Sequence, residues 1–205
     1  MKKLLMGLLA LPMLAAPAEA AYVGVATGAG WTPSGALSED FNSFANGYYL
    51  HLDTAVGDMY NLKLSDVDVP GVHVLGATGQ DGYVYATRNW GIALTLDAPA
   101  KYFGMLWGTV DDYNKIVFMD GLSIVGVFDG SDIVADPNGT TAVYANFYAH
   151  GGTFDKVIFY SYGQNSFEFD NIRVAATPLP AALGLFGMAV AGFGLFGARR
   201  LRKAC

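Results

Sequence analysis

The feature that most constrains this chain is an uncharged apolar run close to its C-terminal end. Residues 181–198 contain no charged residue and no Asn, Gln or His. A helix needs about 17–25 mostly apolar residues to cross a bilayer core, and a helix buried in a soluble domain seldom lacks polar residues for so long. Four cations follow within five residues: Arg199, Arg200, Arg202 and Lys203. We therefore predict a transmembrane helix over 181–198 and a basic stop over 199–203 that stays on the cytoplasmic side.

A short proline motif precedes this run, with the sequence Thr177-Pro178-Leu179-Pro180-Ala181. Residues 177–205, with their proline motif, glycine-rich apolar segment and basic end in that order, resemble the PEP-CTERM sorting tail. The match is to its Val-Pro-Leu-Pro-Ala variant, with Thr177 in place of Val. The resemblance implies a Gram-negative host and an exosortase, a membrane-embedded cysteine protease and transpeptidase, that processes the tail near 178–181. It also implies an association with exopolysaccharide and biofilm.

The N-terminal end has the pattern of a secretory signal peptide. Lys2 and Lys3 precede a short apolar segment over 4–14, and Ala18-Glu19-Ala20 supplies small residues at the spacing of a cleavage site. The apolar segment is too short for a stable membrane span, so the alternative of an uncleaved anchor is disfavoured. We predict cleavage between Ala20 and Ala21. The chain would then be exported, held in the inner membrane by its C-terminal helix during transit, and delivered to the cell surface or the medium.

Residues 21–176 have the size of one ordinary domain. This predicted ectodomain contains six Lys and Arg residues against 17 Asp and Glu residues, a formal charge of −11. Such a charge argues against nucleic acid as a partner, because the phosphate backbone requires a basic surface. The single cysteine, Cys205, lies beyond the basic stop, so the ectodomain has no disulfide and no thiolate metal site.

The ectodomain has the pattern of an all-β protein. Short segments rich in Val, Ile, Tyr, Phe and Thr alternate with clusters of Gly, Asp, Asn and Pro. We predict strands at 22–26, 47–52, 60–64, 72–75, 82–87, 91–96, 101–107, 115–119, 122–128, 141–147, 156–161 and 166–174. Many short strands at this spacing predict an antiparallel, jelly-roll-like β-sandwich. In the last strand the apolar phase changes after Phe169, which predicts a β-bulge at Asp170-Asn171.

The segment from Trp107 to Asn114 is the strongest candidate for a binding site in the ectodomain. An aromatic ring can stack on a sugar, and the oxygens of Asp111 and Asn114 suit either sugar hydroxyls or calcium. The alternative is a hairpin loop with a buried Trp107. Asp170 is a further candidate contact, or it simply binds neighbouring backbone amides. Other candidate stacking surfaces are Trp31, Trp90 and the pair Tyr83 and Tyr85.

Two segments of the ectodomain resemble the body of many exported PEP-CTERM proteins. They are Trp107-Gly-Thr-Val-Asp-Asp-Tyr-Asn114 and Ser166-Phe-Glu-Phe-Asp-Asn-Ile172. The resemblance implies one β-sandwich from about 22 to 175, and it assigns no catalytic residues.

The sequence has no nucleophile elbow, phosphate-binding loop or zinc-protease motif. We therefore expect a surface or matrix protein that is not an enzyme and needs no cofactor. The alternatives are a carbohydrate-binding module and a glycan-processing enzyme, since a pair of catalytic carboxylates need not be close in sequence.

Overall fold

A computed structural model describes residues 22–28, 35–66 and 82–176. Within these ranges the chain forms eleven strands and one helical turn. The elements are β1 (Tyr22–Thr27), β2 (Leu37–Glu39), β3 (Gly47–Thr54), β4 (Gly57–Ser65), β5 (Tyr83–Ala86), β6 (Trp90–Trp107), β7 (Asn114–Asp120), β8 (Ser123–Asp129), α1 (Gly130–Ile133), β9 (Val143–His150), β10 (Phe154–Ser161) and β11 (Phe167–Ala176).

The prediction of an all-β, antiparallel fold is confirmed for the described residues between 22 and 176. The strand pairings in the described ranges are antiparallel, and most predicted strands match observed ones to within a few residues. The predicted strand at 72–75, the signal peptide at 1–20 and the tail at 177–205 lie outside the described residues. Among the residues that are described, no helix is both long enough and apolar enough to cross a membrane.

Strand β6 organises the fold because its two halves belong to different parts of the sheet. Its first half pairs with β4 and β10, and its second half pairs with β9 and β11. The register on β10 jumps from Lys156–Thr95 to Phe154–Ala100, so the segment around Pro99 bulges away from the ladder. Proline lacks the N–H that a ladder requires, and the jump leaves Pro99 exposed. The sequence predicted two strands here, at 91–96 and 101–107, because Asp97 and Pro99 are typical of a loop.

The strands stack as two layers in a β-sandwich-like arrangement. One layer has the order β3, β4, first half of β6, β10, β7 and β8. The other has the order β1, β9, second half of β6, β11 and β2. Strand β5 pairs with both β4 and β11 and joins the layers. The core lies between them, as the ring of Phe103 on β6 shows by lying 5.7 Å from the ring of Phe118 on β7 and 6.1 Å from that of Phe159 on β10.

The predicted bulge in β11 is confirmed. Between Asp170, which pairs with Leu106, and Arg173, which pairs with Gly104, β11 contains one residue more than β6. Asn171 absorbs the extra length with a backbone φ of 50°. As a result Phe169 and Ile172 both point into the core and are fully buried, although their separation in sequence is odd.

Two short elements were not predicted. Strand β2 has three residues and depends on its pairing with β11, so no local pattern marks it. The helical turn α1 was predicted as a turn. Its N-cap, Asp129, accepts a bond from the backbone of Ser131, while the side chain of Asp132 accepts one from the backbone of Asp129, and this capping box converts the turn into helix.

Candidate functional site

A polar cleft forms where the loop at 108–113 crosses the start of β11. The backbone N–H of Gly108 donates to the carbonyl of Glu168 at 2.9 Å, and the amide of Asn114 donates to the carbonyl of Ser166 at 2.8 Å. The hydroxyl of Tyr113 lies 2.6 Å from the carbonyl oxygen of Asn165. These bonds hold the loop against β11 and enclose a cleft of about 200 Å³.

Glu168 is the central residue of this polar cleft. It is 1% exposed, and its two carboxylate oxygens accept hydrogen bonds from the hydroxyls of Thr109 and Ser166. Burial raises the pKa of Glu168 to about 7; the two hydroxyl bonds oppose this shift and the nearby Asp111 carboxylate adds to it. Glu168 therefore exchanges its proton near neutral pH, whereas an ordinary glutamate is fully charged there.

Asp111 supplies a second buried carboxylate to the polar cleft. Burial raises its pKa, while a hydrogen bond of 2.8 Å from the hydroxyl of Tyr113 lowers it and the charge of Asp112 raises it. Gly139 lies against this carboxylate with a backbone φ of +72°, and a Cβ there would lie 2.8 Å from Oδ1 of Asp111. A side chain at position 139 would therefore displace the carboxylate.

The structure brings some predicted site residues to the polar cleft and excludes others. Asp111 lines it, and Asn114 stands behind it, buried, where it anchors β11. The proposed role of Trp107 in glycan contact is wrong, because its ring is fully buried and stacks on Phe167 at 4.5 Å. The proposed role of Asp170 in ligand contact is also wrong. Its side chain is 1% exposed and binds the backbone N–H of Asn171 at 2.6 Å, the local bonding given as the alternative.

The structure does not arrange the possible calcium contacts as a metal-binding site. In the ranges that the structure describes, no group of three or more His, Cys, Asp or Glu side chains is placed to hold a metal ion.

A second depression, the aromatic cleft, lies on the outer side of β3, β4 and β5. Tyr48, Lys63 and Tyr85 form a row across these strands, because Lys63 is the registered partner of both tyrosines. Direct cross-strand partners project on the same face of a sheet. The depression has a volume of about 440 Å³ and is completed by Asn46, Gly47, Leu64 and Ser65.

Lys63 and Trp90 fix the shape of the aromatic cleft. The ammonium group of Lys63 lies 5.9 Å from the ring centre of Tyr85 and 5.8 Å from that of Trp90, within the range of cation–π attraction. The indole N–H of Trp90 donates to the carbonyl of Asn61 at 2.5 Å. The ring of Tyr48 meets that of Trp90 edge to face at 5.8 Å.

The two clefts lie on the same face of the sheet, on either side of Tyr85. Tyr85 pairs with Lys63 on one side and with Glu168 on the other. Of the predicted stacking residues, Trp90 and Tyr85 are half-buried beside the aromatic cleft, whereas Tyr83 is 3% exposed and offers no free ring face. Trp31 lies outside the described residues.

Sequence reasoning missed the residues at the centre of each cleft, Glu168 and Lys63. The alternation Phe167-Glu168-Phe169 does place the glutamate opposite the core. No local pattern, however, shows that the loop at 108–113 covers it, since that loop is distant in sequence. In the comparisons with known proteins, no family model and no curated protein matches this chain.

Proposed function

We propose that this chain is an exported protein of the cell surface or extracellular matrix, delivered through its C-terminal tail. Its partner in sorting is an exosortase-like membrane protease and transpeptidase that acts on residues 177–181. The ectodomain, a jelly-roll-like sandwich, carries the protein's role outside the cell, which is structural or adhesive and not enzymatic.

The observation that carries this proposal is that the described strands fall between the two predicted processing points. Strand β1 (Tyr22–Thr27) follows the predicted signal cleavage between Ala20 and Ala21, and β11 (Phe167–Ala176) precedes the proline motif that starts at Thr177. Both terminal strands are paired, β1 with β9 and β11 with β6. Processing at the two predicted points would therefore leave every strand among the described residues intact, as expected of a domain that two cleavage events release.

The charge of the ectodomain supports the same proposal. A formal charge of −11 favours solubility outside the cell and disfavours binding to nucleic acid. All Lys and Arg residues outside 21–176 lie in the predicted signal peptide or in the basic stop.

The experiment that tests the proposal is intact mass of the protein from inner-membrane, outer-membrane and medium fractions of its native host. We expect a species that begins at Ala21 and ends within 178–181, with or without added mass at its new C-terminus. A species that retains Cys205 and occurs solely in the inner membrane would contradict sorting and indicate an ectodomain on a permanent single-span anchor.

The proline motif provides a matched test. Changing Pro178→Ala and Pro180→Ala together alters the motif and leaves the apolar run and the basic stop unchanged. We expect the double variant to be exported, with its signal peptide removed, and to keep its tail. Tail processing equal to that of the wild type would show that the motif is not the sorting signal.

A further inference from the structure

We propose that the aromatic cleft on β3, β4 and β5 is a binding site for a neutral polysaccharide, which it holds by stacking sugar rings on Tyr48 and Tyr85. This inference deepens the proposed function, because it names what the exported ectodomain adheres to.

The spacing of the row suits a short stretch of a polymer chain. Neighbouring strands lie about 4.8 Å apart, so the two tyrosines stand about 10 Å apart with Lys63 between them. Tyr48 is 49% exposed, and its ring is positioned by its edge-to-face contact with Trp90, while its hydroxyl lies 3.3 Å from Oδ1 of Asn61. A ring that is both exposed and fixed offers an apolar face to the C–H groups of a sugar at little cost in conformational entropy.

Polar groups surround the rings at positions where sugar hydroxyls need partners. Lys63 has three N–H donors, and its ammonium group donates a long hydrogen bond of 3.4 Å to the hydroxyl of Thr87. Asn46 lines the same cleft, and its side-chain amide donates a hydrogen bond to Asp66. Such a mixture of aromatic faces and a few convergent polar groups is typical of small-molecule and sugar sites.

The charge distribution selects a neutral polymer over an acidic one. Lys63 is the one cation among the described residues that line the cleft, and it is already engaged with two aromatic rings. The ectodomain around it carries a formal charge of −11. A polyanion with a carboxylate on each sugar would meet one attractive charge and many repulsive ones, whereas a neutral chain meets no such opposition.

The cleft is organised before a ligand arrives. Asn61, which lies beside the cleft on β4, has a backbone φ of 60°, and its carbonyl accepts the indole N–H of Trp90. The ring of Trp90 in turn meets that of Tyr48 edge to face. Asn61 therefore holds Trp90, and Trp90 supports Tyr48, so these rings lose less freedom when a ligand binds.

The test is binding of the full-length chain, in detergent micelles, to immobilised polysaccharides measured by biolayer interferometry. The probes are a neutral glucan, mannan, galactan and xylan, with carboxymethyl glucan and polygalacturonate as acidic counterparts. We expect at least one neutral polymer to bind, with an affinity that changes less than about twofold between low and high salt. Stronger, salt-sensitive binding to the acidic polymers, or no binding to any of the six, would overturn the proposal.

Three variants assign the binding to the cleft. Tyr48→Ala should lower the affinity about tenfold, as loss of a central aromatic contact does, while Tyr48→Phe should retain it. Tyr162→Ala, which removes another exposed tyrosine, is the matched control and should bind like the wild type. Equal binding by Tyr48→Ala and Tyr162→Ala, with both variants folded, would exclude the cleft.

These measurements are independent of sorting. Failure of tail processing in the host would leave binding in vitro unchanged, and failure of binding would leave the mass of the processed protein unchanged. Release of soluble sugars from a bound polymer would contradict the non-enzymatic part of the proposed function.

Discussion

The buried carboxyl of Glu168 makes the stability of the folded domain depend on pH. Its pKa is about 7 in the folded protein against an ordinary value of 4.5. Below pH 4.5 both the folded and the unfolded chain hold the proton, so Glu168 costs the folded state nothing. As the pH rises from 4.5 to 7, the unfolded chain releases this proton first, and the free energy of unfolding falls.

The size of this effect follows from the shift in pKa. One pKa unit corresponds to about 1.4 kcal/mol, so the shift of Glu168 lowers the free energy of unfolding by about 3 kcal/mol above pH 7. The Glu168→Gln variant keeps the shape of the side chain and cannot titrate. The hydroxyls of Thr109 and Ser166 can rotate to pair with the new amide. We therefore expect Glu168→Gln to match the wild type near pH 4.5 and to be more stable by about 3 kcal/mol near pH 8.

The assay is urea unfolding of residues 21–176 at a series of pH values from about 4.5 to about 8, with free energies compared at equal m-values. Asp97→Asn is the control, because it removes an exposed carboxylate that does not line the polar cleft. Comparison with its curve separates the effect of Glu168 from that of losing one surface charge. If the curve of Glu168→Gln runs parallel to that of the wild type over this window, Glu168 does not titrate there, and the electrostatic reasoning is refuted.

Two further substitutions test the packing. Trp107→Ala should lower the free energy of unfolding by about 3–5 kcal/mol, because the ring is fully buried against Phe167; unchanged thermal unfolding would contradict this. At the bulge, Asn171→Val should be less stable than Asn171→Gly by about 1–2 kcal/mol. Both changes remove the side-chain bond to Asp170, so the difference reports the backbone φ of 50°, and equal stability in urea would show that the position is unstrained.

The sequence predicted the strands of this fold because their signals are local. Alternating apolar residues mark each strand, and the change of phase after Phe169 marks the bulge, whatever lies across the sheet. The sequence did not predict that β6 continues through Pro99, because this continuity depends on the strands that pair with β6 before and after that residue. The pairing that creates β2 is likewise a property of β11 and not of Leu37–Glu39 itself.

The candidate site was harder to predict because both clefts depend on partners that are distant in sequence. Glu168 is buried by the loop at 108–113, and Lys63 acquires its role from Tyr48 on one side and Tyr85 on the other. The sequence around Trp107 correctly indicated a structurally important residue, but it wrongly suggested that the ring faces solvent. A large aromatic next to a polar loop has the same composition whether its ring faces solvent or, as here, packs on Phe167.

If the chain is attached by its C-terminal end, as proposed, the position of β11 has a mechanical consequence. Tension from the tether would pull along β11, which pairs with β6 on one side and with β5 and β2 on the other. Hydrogen bonds in antiparallel ladders run perpendicular to the strands. A load along the strand therefore shears both ladders at once, and many bonds must break together before β11 slides. Under the two proposals above, the drag on a polymer bound at the aromatic cleft on β3, β4 and β5 would reach the attachment point through the ladder between β5 and β11, which would be loaded in shear.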